Sequence, residues 1–174
     1  MADWTDPKTW VTGGTVTAPE MNAHLRDNLL YLYDAPAVAV RLTSAQTITD
    51  ATDTTVSWDE AVWESVSTMW DVATPSKIII PRDGVYSIVF NCLWDAGADG
   101  TKRASFFDVD GVRRRGTQVA SVDPTEFQLV AETNLATDEE LEFDVRHLHG
   151  SDLDILATRT VCTVRWVGGP QINV

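Results

Sequence analysis

Tyr86, Ile88, Phe90, Cys92 and Trp94 recur at every second position, with Ser87, Val89, Asn91 and Leu93 between them. A period of two puts the first set on one face of a pleated strand. A face that heavy in aromatic carbon must be covered by a second layer. The text around it is of the same kind. Val38 to Leu42 opens the run of strands, and a stretch rich in Thr and Asp follows with Val56 and Trp58 inside it. Lys77-Ile78-Ile79-Ile80 is apolar on both faces. Arg103 to Asp110 and Val112 to Val119 flank Asp110-Gly111, a hairpin signal. Glu126 to Thr133 alternates weakly; Leu141, Phe143 and Val145 alternate again, and Cys162, Val164 and Trp166 close the set. Roughly eight to ten strands with no second helix predict a mainly β sandwich or barrel.

Residues 1–35 read differently. Thr17-Ala18-Pro19-Glu20 is a capping box with proline in the first turn. Behind it Met21, Leu25, Leu29 and Leu32 make an apolar stripe, with Asn22, Arg26 and Asp27 opposite. The spacing predicts a helix of about four turns, ended by Asp34-Ala35-Pro36. Such a helix is marginal alone, so its stripe calls for a partner. Ahead of it runs an arm carrying Trp4 and Trp10, too short for a core of its own. That arm docks in a groove elsewhere or folds back on its own domain. The organisation read from the text is an anchor of arm and helix at 1–35, a β domain at 36–167 and a tail at 168–174.

Charge narrows the partners. Thirteen Lys and Arg stand against 26 Asp and Glu in 174 residues, a formal charge of −13. Nucleic acid needs clustered cations, and Arg113-Arg114-Arg115 is the single run, so no nucleic-acid role is expected. Its alternation would set Arg113 and Arg115 on one side and Arg114 on the other, with an ion pair to a neighbouring subunit the favoured use. No apolar stretch approaches the ~20 residues of a membrane span, and no basic-then-apolar leader opens the chain, so no membrane insertion is expected.

Several groups of residues invite a chemical reading, each beside a plainer one. His147 and His149 share a strand face, a partial metal set that three copies would complete, or else buried histidines held by hydrogen bonds. Asp95, Asp99, Asp108 and Asp110, near Gly97, Gly100 and Gly111, are hard ligands for calcium or simply solvated loops. No nucleophile elbow or Cys-His context stands out, so neither catalysis nor a cofactor or metal is expected. Cys92 and Cys162 share the parity of core residues and read as buried free thiols, unless neighbouring strands pair them.

Two resemblances add to this. Ile79-Ile80-Pro81-Arg82-Asp83-Gly84-Val85-Tyr86-Ser87-Ile88 resembles the I-P-x-D-G-x-Y-x-I signature of the tumour-necrosis-factor and complement-globular-head jelly-roll superfamily. Trp70-Asp71 sits where that family has an aromatic-Asp pair. Thr137 to Phe143 is similar to its L-x-x-G-D-x-L-x-L segment without the glycine, and Arg159 to Val167 to its last strand without Phe-Ser-Gly. The resemblance spans roughly Ala37 to Val167. It implies a jelly-roll β-sandwich, with Tyr86, Ile88, Phe90, Trp94, Phe143 and Trp166 in its core, assembled as a homotrimer.

Trp10-Val11-Thr12-Gly13-Gly14-Thr15-Val16-Thr17-Ala18-Pro19-Glu20-Met21-Asn22, continued by Arg26-Asp27-Asn28-Leu29, resembles the W-x-x-G-x-x-V-T-A-x-x-L-N opening of tailed-bacteriophage virion proteins. That resemblance implies a structural component of the particle, made in the host cytoplasm and carried on tail or head. Trp4, Trp10, Met21, Leu25, Leu29 and Leu32 would anchor it to other virion proteins. The jelly roll would project as a short fibre or spike, with a host surface glycan or protein as its further partner. A capsid-decoration protein stabilising the head shell is the alternative; a secreted signalling ligand and a depolymerising tail spike are the rivals from other classes. In a trimer, three parallel helices would bury one another's stripe, through Leu25, Asn28 and Leu32 or through a register using Leu29.

Overall fold

The structure, a computed structural model, describes residues 5–6, 8–33, 35–65, 69–95, 102–119 and 126–169. The chain divides into two compact units, 1–35 and 36–174.

In the first unit the helical turns run as an α-turn Ala18–Met21, a π segment Asn22–Asp27 and an α segment Asn28–Tyr33. Glu20 reaches back as the capping box requires, accepting from the Thr17 amide and hydroxyl at 2.9 Å each. The sequence pattern fits a plain α-helix, and the π segment is a departure from it. Periodicity resolves apolar faces, not whether a turn closes on the fourth or fifth residue.

The second unit holds twelve described strands: β1 (Ala37–Arg41), β2 (Gln46–Ile48), β3 (Thr54–Thr55), β4 (Glu60–Glu64), β5 (Ile78–Ile79), β6 (Gly84–Leu93), β7 (Lys102–Val109), β8 (Val112–Val119), β9 (Glu126–Leu135), β10 (Glu140–Leu148), β11 (Leu153–Ile155) and β12 (Val161–Gly168). That exceeds the expected number, because strands of two or three residues such as β2, β3 and β11 are too short to show a period. One sheet runs β4-β1-β12-β6-β9 and the other β3-β10-β7-β8, with β5 beside β10 and a small β2-β11 pair. β12 includes Gly168, one residue into the segment read as a tail; 170–174 lie outside the described residues.

The two inner faces meet over aromatic side chains. Phe90 of β6 and Phe143 of β10 have ring centroids 5.1 Å apart, and Trp58 stands edge-on to both at 5.8 and 6.1 Å. Tyr86, Ile88, Phe90, Trp94 and Phe143 are fully buried and Trp166 nearly so. Trp58 belongs to no strand; its amide is held by the Pro75 carbonyl at 3.0 Å.

The Pro81–Ile88 signature forms a corner. The Tyr86 hydroxyl donates to the Arg82 carbonyl at 2.8 Å, and the Arg82 guanidinium lies 3.9 Å over the Trp166 ring. Asp83 accepts from the Thr137 amide and hydroxyl, tying the segment before β10 to the turn. Gly84 has φ +152° with the Trp166 indole pressed against it. At Asp110-Gly111 both residues have positive φ, 50° and 72°, the geometry of a tight two-residue hairpin.

Candidate functional site

Two surfaces stand out, one on each unit. In the N-terminal unit the arm runs back along its helix. Thr5 exchanges two hydrogen bonds with the Asn28 side chain, 2.9 and 2.8 Å, and the Asp6 carbonyl meets His24 Nδ1 at 3.0 Å. Lys8 pairs with Glu20 and lies over the Trp10 ring, which stands edge-on to His24. The described arm residues therefore fold back on their own unit; Trp4 lies outside the described residues. With Lys8 and Thr17 donating to it, the Glu20 carboxyl is drawn down to about 2.

Asn28 is 6% exposed, with both polar ends of its side chain spent on the arm. This corrects the expectation of an asparagine facing sister helices through a Leu25-Asn28-Leu32 seam. The stripe lies elsewhere: Met21, Leu25, Leu29 and Leu32 are all exposed, Leu29 by 65%, as is Trp10 of the arm.

The second surface is the outer face of the β4-β1-β12-β6-β9 sheet. Cross-strand register places Trp63, Ala39, Thr163, Val89 and Val130 opposite one another, a row crossing every strand of that sheet. Trp63 and Val130, at its two ends, are each 47% exposed. Bulges in β4 and β12 leave Val62 and Val167 unpaired in the ladder and exposed as well. On one side of the row Arg41 pairs with Glu60, and the Gln128 amide donates to Asn91 at 2.8 Å. On the other, Arg165 and Glu132 share a row through Ser87, with Ala37 at its end. Arg159 meets Glu126 at 2.7 Å. Among the described residues, then, Arg41, Arg159 and Arg165 balance Glu60, Glu126 and Glu132, so this face of a strongly acidic chain is close to neutral.

The outer face of the other sheet is ionic. Arg113 bridges Asp53, Asp108 and Asp144 at 3.0, 3.3 and 2.9 Å and lies 3.8 Å over Phe106. Burial and the adjacent Asp144 carboxylate push the Asp108 carboxyl above its usual range. Arg113 is thus committed within its own chain, a correction to the inter-subunit pair. The expected alternation fails too. A bulge sets Arg113 opposite Asp108 and Arg115 opposite Phe107, so the two fall on opposite faces.

The metal-type residues do not converge. His147 is buried inside the sandwich, with Nε2 2.9 Å from the Ile48 carbonyl and its ring edge-on to Trp94. Asp50 Oδ1, 3.4 Å from His147 Nδ1, accepts the amides of His149 and Gly150, which hold its carboxyl below the usual range. Asp108 turns to Arg113, and Asp110 accepts from the Glu140 amide. Gly97, Asp99 and Gly100 lie outside the described residues.

Cys92 and Cys162 occupy neighbouring strands, but Cys162 faces Phe90 in the ladder and both thiols are free and buried. Burial pushes both thiols up, Cys92 beyond any physiological range. A groove of about 490 Å³ lies beside Val62, between Arg41 and Arg159, both already paired with glutamates. Among the described residues no helix is long and apolar enough to cross a membrane.

No family model matches the chain, and no curated protein matches it. Solved structures do. Eiger TNF from S. frugiperda superposes with a TM-score of 0.59 at 11% identity, over 80% of this chain and 96% of its own. Murine APRIL gives 0.61 at 9% identity at pH 5.0 and 0.59 at 10% at pH 8.5, each over 76% of this chain and 99% of its own. The β unit is a tumour-necrosis-factor-like jelly roll. At such identity the likeness extends to the fold alone.

Sequence reasoning missed the sheet face. Trp63, Val62, Val89 and Val130 lie at outward positions of their strands, where register, not period, decides which residues meet. A signal for it in the text was Ala37-Val38-Ala39-Val40, a strand of this sheet that is apolar on both faces.

Proposed function

We propose that the chain is a homotrimeric structural component of a tailed-phage particle, its jelly roll displayed and its N-terminal unit attached to other virion proteins. The apolar row across the β4-β1-β12-β6-β9 sheet carries the self-association. Copies of a chain with charge −13 repel one another wherever acidic faces meet. A nearly neutral face with an exposed tryptophan and valines is where they come together at least cost. The threefold order is what the tumour-necrosis-factor-like fold and its resemblance suggest. The attachment rests on the phage-type opening Trp10 to Asn22 and on the exposed Trp10, Val11 and Val16. Threefold display of the head would turn weak contacts with a host surface into useful adhesion.

Light scattering on the full chain is expected to give a trimer, 3 × 19.2 = 57.6 kDa. Particles assembled from the encoding genome with this gene deleted are expected to lack the protein and to take up the purified trimer on co-sedimentation. A monomer in solution would refute the self-association, and particles that never bind the trimer would refute the virion role. Uptake that raises the melting temperature of empty shells would move the protein to the head as a decoration protein.

A further inference from the structure

We infer that the N-terminal helix packs against the same helix of sister copies through Met21, Leu25 and Leu29, leaving the arm to meet the particle. The inference rests on the trimeric reading and divides the work of the N-terminal unit.

In an α-helix a four-residue step overshoots one turn by about 40°, so side chains at i, i+4 and i+8 spiral away from a straight line. The segment Asn22–Asp27 is a π stretch, whose turns are wider and absorb that overshoot. Met21, Leu25 and Leu29 therefore stand in one row, with Leu32 flanking its end. All four are exposed in the single chain. The arm is engaged elsewhere on the helix, on Asn28, His24 and Glu20, so it does not cover them.

Charge favours a second copy as the occupant. Lys8 cancels Glu20, and Arg26 cancels Asp27 at 2.7 Å, so among the described residues the charges of the helix are balanced within each unit. Copies meeting along the row bring leucine to leucine with no net repulsion between helices, and among the described residues the helix offers no net charge to a different partner. The helix ends at Tyr33 and the first strand begins at Ala37. Three helices so tethered to one trimeric head are held at an effective concentration of about millimolar. A helix too short to be stable alone gains its burial there.

The test is disulfide trapping in the full chain. Both native thiols are buried, so a new cysteine reports without interference. Leu25→Cys and Leu29→Cys, at exposed positions, are oxidised with copper-phenanthroline and compared with Asn22→Cys, also exposed but off the row. Covalent pairs are expected for the two row variants about tenfold faster than for the control, at a rate independent of protein concentration. A trimer by light scattering in which neither row variant cross-links, or in which all three cross-link alike, overturns the inference and leaves the trimeric reading standing. A monomer by light scattering overturns both.

Discussion

Gly84→Ala is the sharpest test of how the jelly roll is held, because the atoms a single methyl group would meet are known. A Cβ at this position would lie 2.1 Å from Trp166 Nε1, 2.7 Å from Trp166 Cδ1 and 2.4 Å from the Gly168 carbonyl oxygen. Neither the carbonyl nor the indole is a flexible chain end. Trp166 is pinned by its donation to the Asp83 carbonyl at 3.2 Å and by the Arg82 guanidinium stacked on its ring.

To admit the methyl group the indole must leave. The hydrogen bond is worth about 1 kcal/mol, the cation–π contact about 1 kcal/mol, and an alanine held at φ +152° adds strain on the order of 1–3 kcal/mol. The sum is about 3–5 kcal/mol. For a domain of this size that lowers Tm by roughly 10–15 °C at fixed protein concentration. Gly111→Ala is the control, because its φ of +72° is also left-handed but nothing lies within 4 Å of the added carbon. Strain alone should cost it about 1–2 kcal/mol. Thermal melts of both variants, followed by far-ultraviolet circular dichroism, give the comparison. Equal losses would show that the Trp166 contact is not what demands glycine at Gly84, and the reading of the signature as a packed corner would fall.

Trp63→Asp combined with Val130→Asp should convert the proposed trimer to folded monomers on gel filtration, since both side chains are exposed on the outer sheet face and neither fills the core. Ellman's reagent should find no thiol in the native chain at pH 8 and two after guanidinium unfolding, because Cys92 and Cys162 are buried with raised pKa values. Stability, read from urea melts, should fall as pH drops below about 4. Asp50, Asp59 and Asp83 have lowered folded pKa values, so their contribution is present above the unfolded carboxylate value near 3.9 and lost as pH falls through the folded ones. Asp108 runs the other way, its raised pKa adding stability as pH falls; Asp108→Asn should therefore make the acid decline steeper, and an unchanged slope would count against the Arg113 cluster as described.

The long strands were legible because their inward residues are large and strictly alternating. Tyr86 to Cys92 on β6 and Leu141 to Val145 on β10 hold their burial at every second position. Trp58 was legible as a core residue in kind but not in setting, since it fills the sandwich from a stretch that belongs to no strand. The bulge that separates Arg113 from Arg115 was illegible, because a period of two assumes an unbroken ladder and nothing in three arginines marks where it breaks. The turn from α to π across Asn22–Asp27 was hidden for the same reason: both helices keep apolar residues roughly four apart.

The sheet face escaped by a different route, whereas the helix stripe was legible, and that route bears on function. The residues that carry the fold resemblance are consumed by the fold. Arg82 closes on Tyr86 and Trp166, Asp83 holds Thr137, and Gly84 makes room for the indole. A signature spent wholly on a corner specifies a jelly roll and is indifferent to what the jelly roll does. What distinguishes one such head from another must lie on residues the corner does not use, at outward positions of its strands and in what precedes it. In this chain those positions are the Trp63-to-Val130 row, the Met21-Leu25-Leu29 row and the arm folded along the helix. The first two are apolar and close to charge balance in a chain of charge −13, a combination that solvent exposure alone does not favour. Under the proposed trimeric reading both serve the same event, the meeting of identical chains, rather than standing as independent sites.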